Sequence, residues 1–243
     1  MISNIFHAVI YQPLYNALVY LVDIIPSHDI GIAVIVLTIV IRIVLFPLSK
    51  KVVESQMAMK KIAPEVEEIK KKYKKNSAEQ SQAVFALYKE KGVHPFASFG
   101  LLLVQFPILI GLYWVFAQGG FPKVDPMILY PFVLAPDSIG MNFLGLVDMG
   151  ARHNIFLAGL VALTQLVYSR LSMGPRGTET ATEATLSSDM AKSFDLQARY
   201  FFPAMFGVIA YFVVAAAPLY WVTSNVCMIA QEYAMGRRFD PKK

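Results

Sequence analysis

A single cysteine, Cys227, means that neither a disulfide framework nor a cysteine-based metal site can form within these 243 residues. The four histidines, His7, His28, His94 and His153, fall outside every long apolar run, and none has a partner at metal-ligand spacing. There is no glycine-rich phosphate loop, and Glu232, near the end of the last apolar run, has no second carboxylate within such a run. The sequence therefore predicts no catalytic residues, no metal ligands, no cofactor and no coupling to nucleotide hydrolysis. Charge is scarce too, at 16% of residues against 56% apolar, which leaves too little polar surface to wrap a water-soluble core. The opening stretch, MISNIFHAVIYQPLYNALVYLVDIIP, lacks a basic n-region, a small-residue cleavage site and a lipid-attachment cysteine, so a removable signal is not expected.

Long apolar runs fill the space that charge leaves. Several approach the roughly 20 residues that cross a bilayer, and the class predicted is an all-α integral membrane protein. The first such run, residues 30–51, reads IGIAVIVLTIVIRIVLFPLSKK and is interrupted by one charge, Arg42, before its closing Lys50 and Lys51. Before it, residues 1–29 have apolar positions broken by Asn4, His7, Gln12, Asn16 and Asp23, with many tyrosines and Pro13. That pattern suits an interfacial helix, with a short core helix as the alternative.

After the first span (30–49), the segment 50–95 holds 11 Lys and 6 Glu and no long apolar run. Ile62, Val66, Ile69 and Tyr73 recur at spacings of four, three and four, one stripe on a helix, and AVFALYKEK at 83–91 supplies a second helix. Asn76 and Ser77 form the natural break and cap between them, so the segment reads as a basic helical hairpin in water. A second span is expected over 96–117, interfacial turns over 118–153, a third span over 154–171 and a cytoplasmic loop over 172–199 that opens with a small polar linker at 172–189.

From Tyr200 to Ala230 there is no charge for 31 residues, which fits either one strongly tilted helix or two short spans turning near Ala215 to Pro218. Charge bias decides between them. With five spans and the N-terminus outside, the cytoplasmic segments hold 19 Lys or Arg, and the outer ones hold Lys123 and Arg152. Spans four and five are thus placed at 200–216 and 217–235, with a cytoplasmic tail at 236–243.

Polar groups within the spans are the candidate functional residues: Thr38, Arg42, Gln105, Gln165, Ser224 and Asn225, with Trp221 beside them. Thr38 and Arg42, four apart, share a helix face. A charged side chain at the bilayer centre costs roughly 2.5–3.5 kcal/mol on insertion scales. Arg42 either snorkels towards Lys50, about 12 Å along the helix, or meets water in a groove that the spans share. Gln, Ser and Asn can equally act as helix-to-helix contacts. The lysine-rich hairpin, including Lys60, Lys61, Lys70, Lys71 and Lys74, either fixes topology and attracts anionic lipid or presents a docking surface to a partner.

Five stretches, in order, then carry a resemblance: IRIVLFPLSKK; MAMKKIAPEVEEIKKKY with FALYKEKGVHP; LLLVQFPILIGLYW; and LYWVTSN at 219–225. In these the chain resembles the YidC-type membrane protein insertases, from about Pro13 to Gln231. The resemblance implies five transmembrane helices around a hydrophilic groove open to the cytoplasm and to lipid, with the groove arginine at Arg42, its threonine at Thr38, and Gln165 and Trp221 at other lining positions. It also implies a cytoplasmic hairpin that works in insertion, a bacterial cytoplasmic-membrane location, and nascent membrane proteins as partners. The Sec translocon, the ribosome, the signal recognition machinery and anionic lipids are further expected partners; no specific nucleic-acid sequence is. The likeness is to the minimal form without a large periplasmic domain, and the short ending GRRFDPKK offers little for tail-mediated ribosome binding. The rivals are a small channel or anion transporter with Arg42 as selectivity charge, and a scaffold that recruits soluble partners; no internal repeat supports the transporter.

Overall fold

A computed structural model describes residues 5–73, 76–93, 97–119, 121–173 and 196–237. Lys74, His94, Arg176, Lys192 and the last six residues lie outside these. The described residues are mostly helical and divide into two units, Met1–Ile43 with Pro107–Lys243, and Val44–Phe106.

In the first unit a π-helical turn, His7–Tyr11, runs into α1, Gln12–Ile24. Tyr15, Leu18, Val19 and Val22 recur at helical spacing and are fully buried. Helix α2, Ile30–Lys61, begins here and buries Ile30, Ala33, Val34 and Leu37 against the same core, together with Leu112 and Val115 of α5, Ala97–Gln118. The amino-terminal segment thus has a core-facing stripe, while Val9, Tyr20 and Ile24 on its other side stay exposed.

Helices α6 (Ile155–Met173), α7 (Phe202–Phe212, entered through a π-helical turn at Gln197–Phe201) and α8 (Ala216–Ala234) complete this unit. Packing of α6 along both α7 and α8 is close. Gly207 is what allows it: a Cβ there would lie 2.8 Å from the Ala162 Cβ and 3.3 Å from the Ala158 carbonyl oxygen. The uncharged run breaks where Val213 turns extended (φ −97°, ψ 164°), so it forms two helices. Pro218 falls in the first turn of α8, where its missing N–H costs no helical bond.

The loop between α5 and α6 contains a two-stranded antiparallel hairpin that the sequence reading did not anticipate, β1 (Asn142–Phe143) and β2 (Val147–Asp148). Leu144 (φ 50°) and Gly145 (φ 73°) turn it, and positive φ at adjacent residues is what tight hairpins require. Backbone bonds tie this loop to several helix ends. The Ile30 amide donates to Gly140 (3.0 Å), His153 to Tyr211 (2.9 Å) and Ala215 to Ala151 (2.8 Å). The Tyr15 hydroxyl donates to the Gly119 carbonyl at 3.1 Å and accepts from the Asp125 amide at 2.9 Å. Burial pushes the Tyr15 phenol above its usual range, which keeps it a neutral donor. The starts of α2, α6 and α8 and the ends of α5 and α7 therefore gather at one face.

At the other end of α8, Glu232 (1% exposed) and Arg237 form a buried ion pair, with Arg237 Nη1 3.0 Å from Oε1 and 2.9 Å from Oε2. The same nitrogen donates to the Ser172 carbonyl at 2.9 Å, which joins the ends of α6 and α8.

In the second unit α2 continues through Pro47 to Lys61 instead of stopping at the proline. A proline inside a helix removes one hydrogen bond without forcing a stop. The break comes at Ile62, followed by α3 (Ala63–Lys72), with Pro64 in its first turn, where the missing donor is harmless. Helix α4, Ser77–Glu90, is capped by the Asn76 side chain, which accepts from the Glu79 amide at 3.3 Å. Ile62 is buried and Val66, Ile69 and Tyr73 are half-buried, while Lys60, Lys61, Lys70 and Lys71 are exposed. Lys70 and Lys71 end α3, where cations suit the helix dipole. Lys91 pairs with Glu65 at 3.0 Å, and that hydrogen bond holds its ammonium above the usual lysine range.

Replacing Arg237 with alanine is expected to destabilise the protein by about 3–5 kcal/mol, because it strands a buried carboxylate; thermal unfolding in detergent reads this out, and an unchanged transition would contradict it. Asn76→Ala is expected to cost the hairpin about 1 kcal/mol, visible as faster amide exchange in α4.

Candidate functional site

The site grows from the spacing of polar residues on three apolar helices of the first unit. On α2, Thr38 and Arg42 stand one turn apart. Thr38 is fully buried, and its hydroxyl donates at 2.6 Å to the Val34 carbonyl of its own helix, so it lines the site with its proton already committed. Arg42 is half-buried and reaches across to α8, where its Nε donates to the Ser224 hydroxyl at 2.9 Å and its Nη2 contacts the same oxygen. The sequence separation is 182 residues. The side chain of Arg42 joins the two helices.

On α8, Ser224 and Asn225 are both fully buried. The Asn225 side-chain nitrogen donates to the Thr164 hydroxyl of α6 at 3.1 Å, and Thr164 in turn donates to the Leu160 carbonyl at 2.8 Å. The Asn225 Oδ1 is buried with no donor among the described residues, an arrangement that suits a polar guest or a water. Trp221, one turn earlier, packs on Phe206 of α7, with ring centroids 4.7 Å apart. Gln165 is half-buried on α6 next to Thr164. Among the titratable groups nearest the guanidinium are Tyr168, Tyr220 and Cys227, from α6 and α8.

Of the residues singled out from the sequence, Arg42 and Ser224 are thus in direct contact, Asn225 adjoins them, and Thr38 lies one turn away. Trp221 is engaged with α7. Gln105 is half-buried on α5 and belongs to the second unit. Sequence reasoning missed Thr164 and Tyr168, although they repeat on α6 the four-residue spacing of Thr38 and Arg42. It also missed Arg237, counted as a tail charge, whose partnership with Glu232 has no local signal beyond a five-residue spacing. Chemically, the arrangement can hold a fixed positive charge at an otherwise apolar helix junction. An arginine stays protonated there, and a hydroxyl stabilises its charge without cancelling it.

Comparison with known proteins follows the same lines. The family described as "60Kd inner membrane protein" matches residues 21–242. A membrane protein insertase YidC of Clostridium tetani is 35% identical over 208 residues, covering 85% of this chain and 81% of that protein. The membrane protein insertase YidC of Oceanobacillus iheyensis is 30% identical over 223 residues, 89% of this chain and 78% of the relative. One from Caulobacter vibrioides is 29% identical over 232 residues, which are 94% of this chain but 36% of that longer protein. With nearly all of its length matched, the chain belongs to the 60Kd inner membrane protein family of bacterial inner membrane proteins.

Proposed function

We propose that this chain is a membrane protein insertase of the bacterial inner membrane, and that its site is a hydrophilic groove carrying one fixed cation. The observation that carries the reading is the Arg42 guanidinium, placed on an apolar helix and bonded to Ser224 of a second one. A nascent chain brings a short polar segment to the groove, where Arg42 compensates acidic side chains and Asn225 offers a buried acceptor. Its apolar segment meanwhile passes into lipid. Each buried CH2 contributes about 0.8 kcal/mol, so some 20 apolar residues drive the transfer without hydrolysis or covalent chemistry.

The topology that goes with this function has five spans, at about 30–49, 96–117, 154–171, 200–216 and 217–235, with the N-terminus outside and the C-terminus in the cytoplasm. The lysine bias supports it, as does the alternation of helix starts and ends at the α5–α6 loop. By length and composition, α2 and α6 are each long and apolar enough to cross a membrane. The hairpin then stands in the cytoplasm, where its exposed lysines can meet ribosomes, targeting factors or anionic headgroups, and the Sec translocon is a further partner.

Arg42→Ala is expected to slow insertion of a substrate with an acidic translocated segment by about tenfold or more, since a hydrogen bond to a charged group contributes about 1.5–3 kcal/mol. A neutral segment should insert almost unchanged. Reconstituted proteoliposomes with both substrates test this; equal rates for wild type and variant on the acidic substrate would sink the groove-charge role, and anion flux abolished by the same substitution would favour a channel. Changing Lys60, Lys61, Lys70 and Lys71 together to Gln is expected to weaken binding of ribosome–nascent chain complexes at low salt, with a shallower salt dependence than the wild type. Unaltered binding would limit these lysines to a topological role.

A further inference from the structure

The segment between α5 and α6 turns its apolar side chains outward. Met127 is 90% exposed, Phe132 78%, Leu134 72% and Leu146 83%, and residues 127–147 contain one charged side chain, Asp137. A loop bathed in water has no reason to present such a surface.

Much of the backbone in this stretch is held from the inside. The Met127 amide donates to Asp125 Oδ1 (2.9 Å), the Tyr130 amide to Asn16 Oδ1 (2.6 Å) and the Leu144 amide to Asp29 Oδ2 (2.7 Å). The Leu146 amide donates to the Phe143 carbonyl at 2.9 Å, and the Ile128 carbonyl accepts from the side chains of both Gln12 (3.1 Å) and Asn16 (3.0 Å). The prolines at 126, 131 and 136 carry no N–H at all. Irregular backbone can meet an apolar phase where its polar groups are satisfied within the protein, and here the amides of Met127, Tyr130, Val133, Leu144 and Leu146 are.

The position of the loop identifies the phase. It is hydrogen-bonded to the start of α2 through Ile30 and leads directly into α6, the two helices long and apolar enough to span a membrane. The first residues of α6, Ile155 (79%) and Phe156 (66%), continue the same exposed apolar surface. The segment thus lies at the level where membrane helices leave the hydrocarbon, beside the stacked rings of Tyr130 and Phe132, a usual composition for the interface.

We infer that residues 127–146 form a lipid-docking surface, in which Met127, Phe132, Leu134 and Leu146 enter the boundary between headgroups and acyl chains of the leaflet at this face. Interfacial elements of this kind bury about 5–10 Å into that boundary. Because the loop is bonded to Ile30, its docking sets the height of the start of α2, and so the depth of Arg42, about 18 Å further along the helix. The occupant is phospholipid, and the inference rests on membrane residence, not on the groove reading.

Single cysteines test it in the full chain in a Cys227→Ala background: Phe132→Cys, Leu134→Cys and Leu146→Cys, with Asp137→Cys as the aqueous reference. Each is labelled with an environment-sensitive fluorophore in nanodiscs of phosphatidylethanolamine and phosphatidylglycerol. All four sites are exposed, and three independent positions guard against one variant that fails to fold. Probes at 132, 134 and 146 are expected to emit to the blue of the probe at 137, to be quenched by nitroxide-bearing lipid, and to be quenched several-fold less by aqueous iodide. Iodide quenching equal to that at 137 would overturn the proposal in favour of a water-exposed loop. Shielding from both iodide and lipid nitroxide would overturn it in favour of a covering second copy.

Discussion

Everything in the larger unit is arranged around a guanidinium that cannot lose its proton on a helix that has little else polar to offer. Arg42 sits among aliphatic neighbours, where an unassisted charge costs several kcal/mol. The structure meets this with the Ser224 hydroxyl of a helix near the other end of the chain, and sets the buried Asn225 and Thr164 beside it. A hydroxyl dipole pointed at the guanidinium lowers the cost of the charge. That is the physical basis for reading the junction as a place for a polar, acidic guest.

The contrast with Arg237 sharpens the point. Arg237 is neutralised by Glu232 and bonded to Ser172, so its charge fastens α6 to α8 and is spent in doing so. Close approach of α7 to α6 at Gly207 and the pairing at Glu232 make α6, α7 and α8 one packed group. Helix α2 shares a buried cluster with α8 through Val34, Leu37, Leu219 and Tyr220, and Arg42 adds a polar contact to Ser224.

Much of the helical layout was legible because its signals are local. The stripe at Ile62, Val66, Ile69 and Tyr73 follows helical spacing; Asn76 caps its helix within one turn; and the uncharged run of 31 residues breaks close to Ala215, just before Pro218. Pro47 lies inside its helix, which tolerates the one lost hydrogen bond and runs on to Lys61. The short β-hairpin escaped notice because two-residue strands leave no periodicity, and its one cue was Gly145 beside a leucine.

By itself the sequence determined the class of molecule, the helices, the lysine asymmetry and the few polar residues with a place in the membrane, because composition, periodicity and capping act over a turn or two of chain. Only the tertiary structure decided which of those residues meet. Arg42 finds Ser224 across 182 residues, Arg237 finds Glu232 and Ser172, and Trp221 turns to Phe206. Those pairings depend on which helix faces pack together, and packing is a property of the whole fold that no local stretch of sequence encodes.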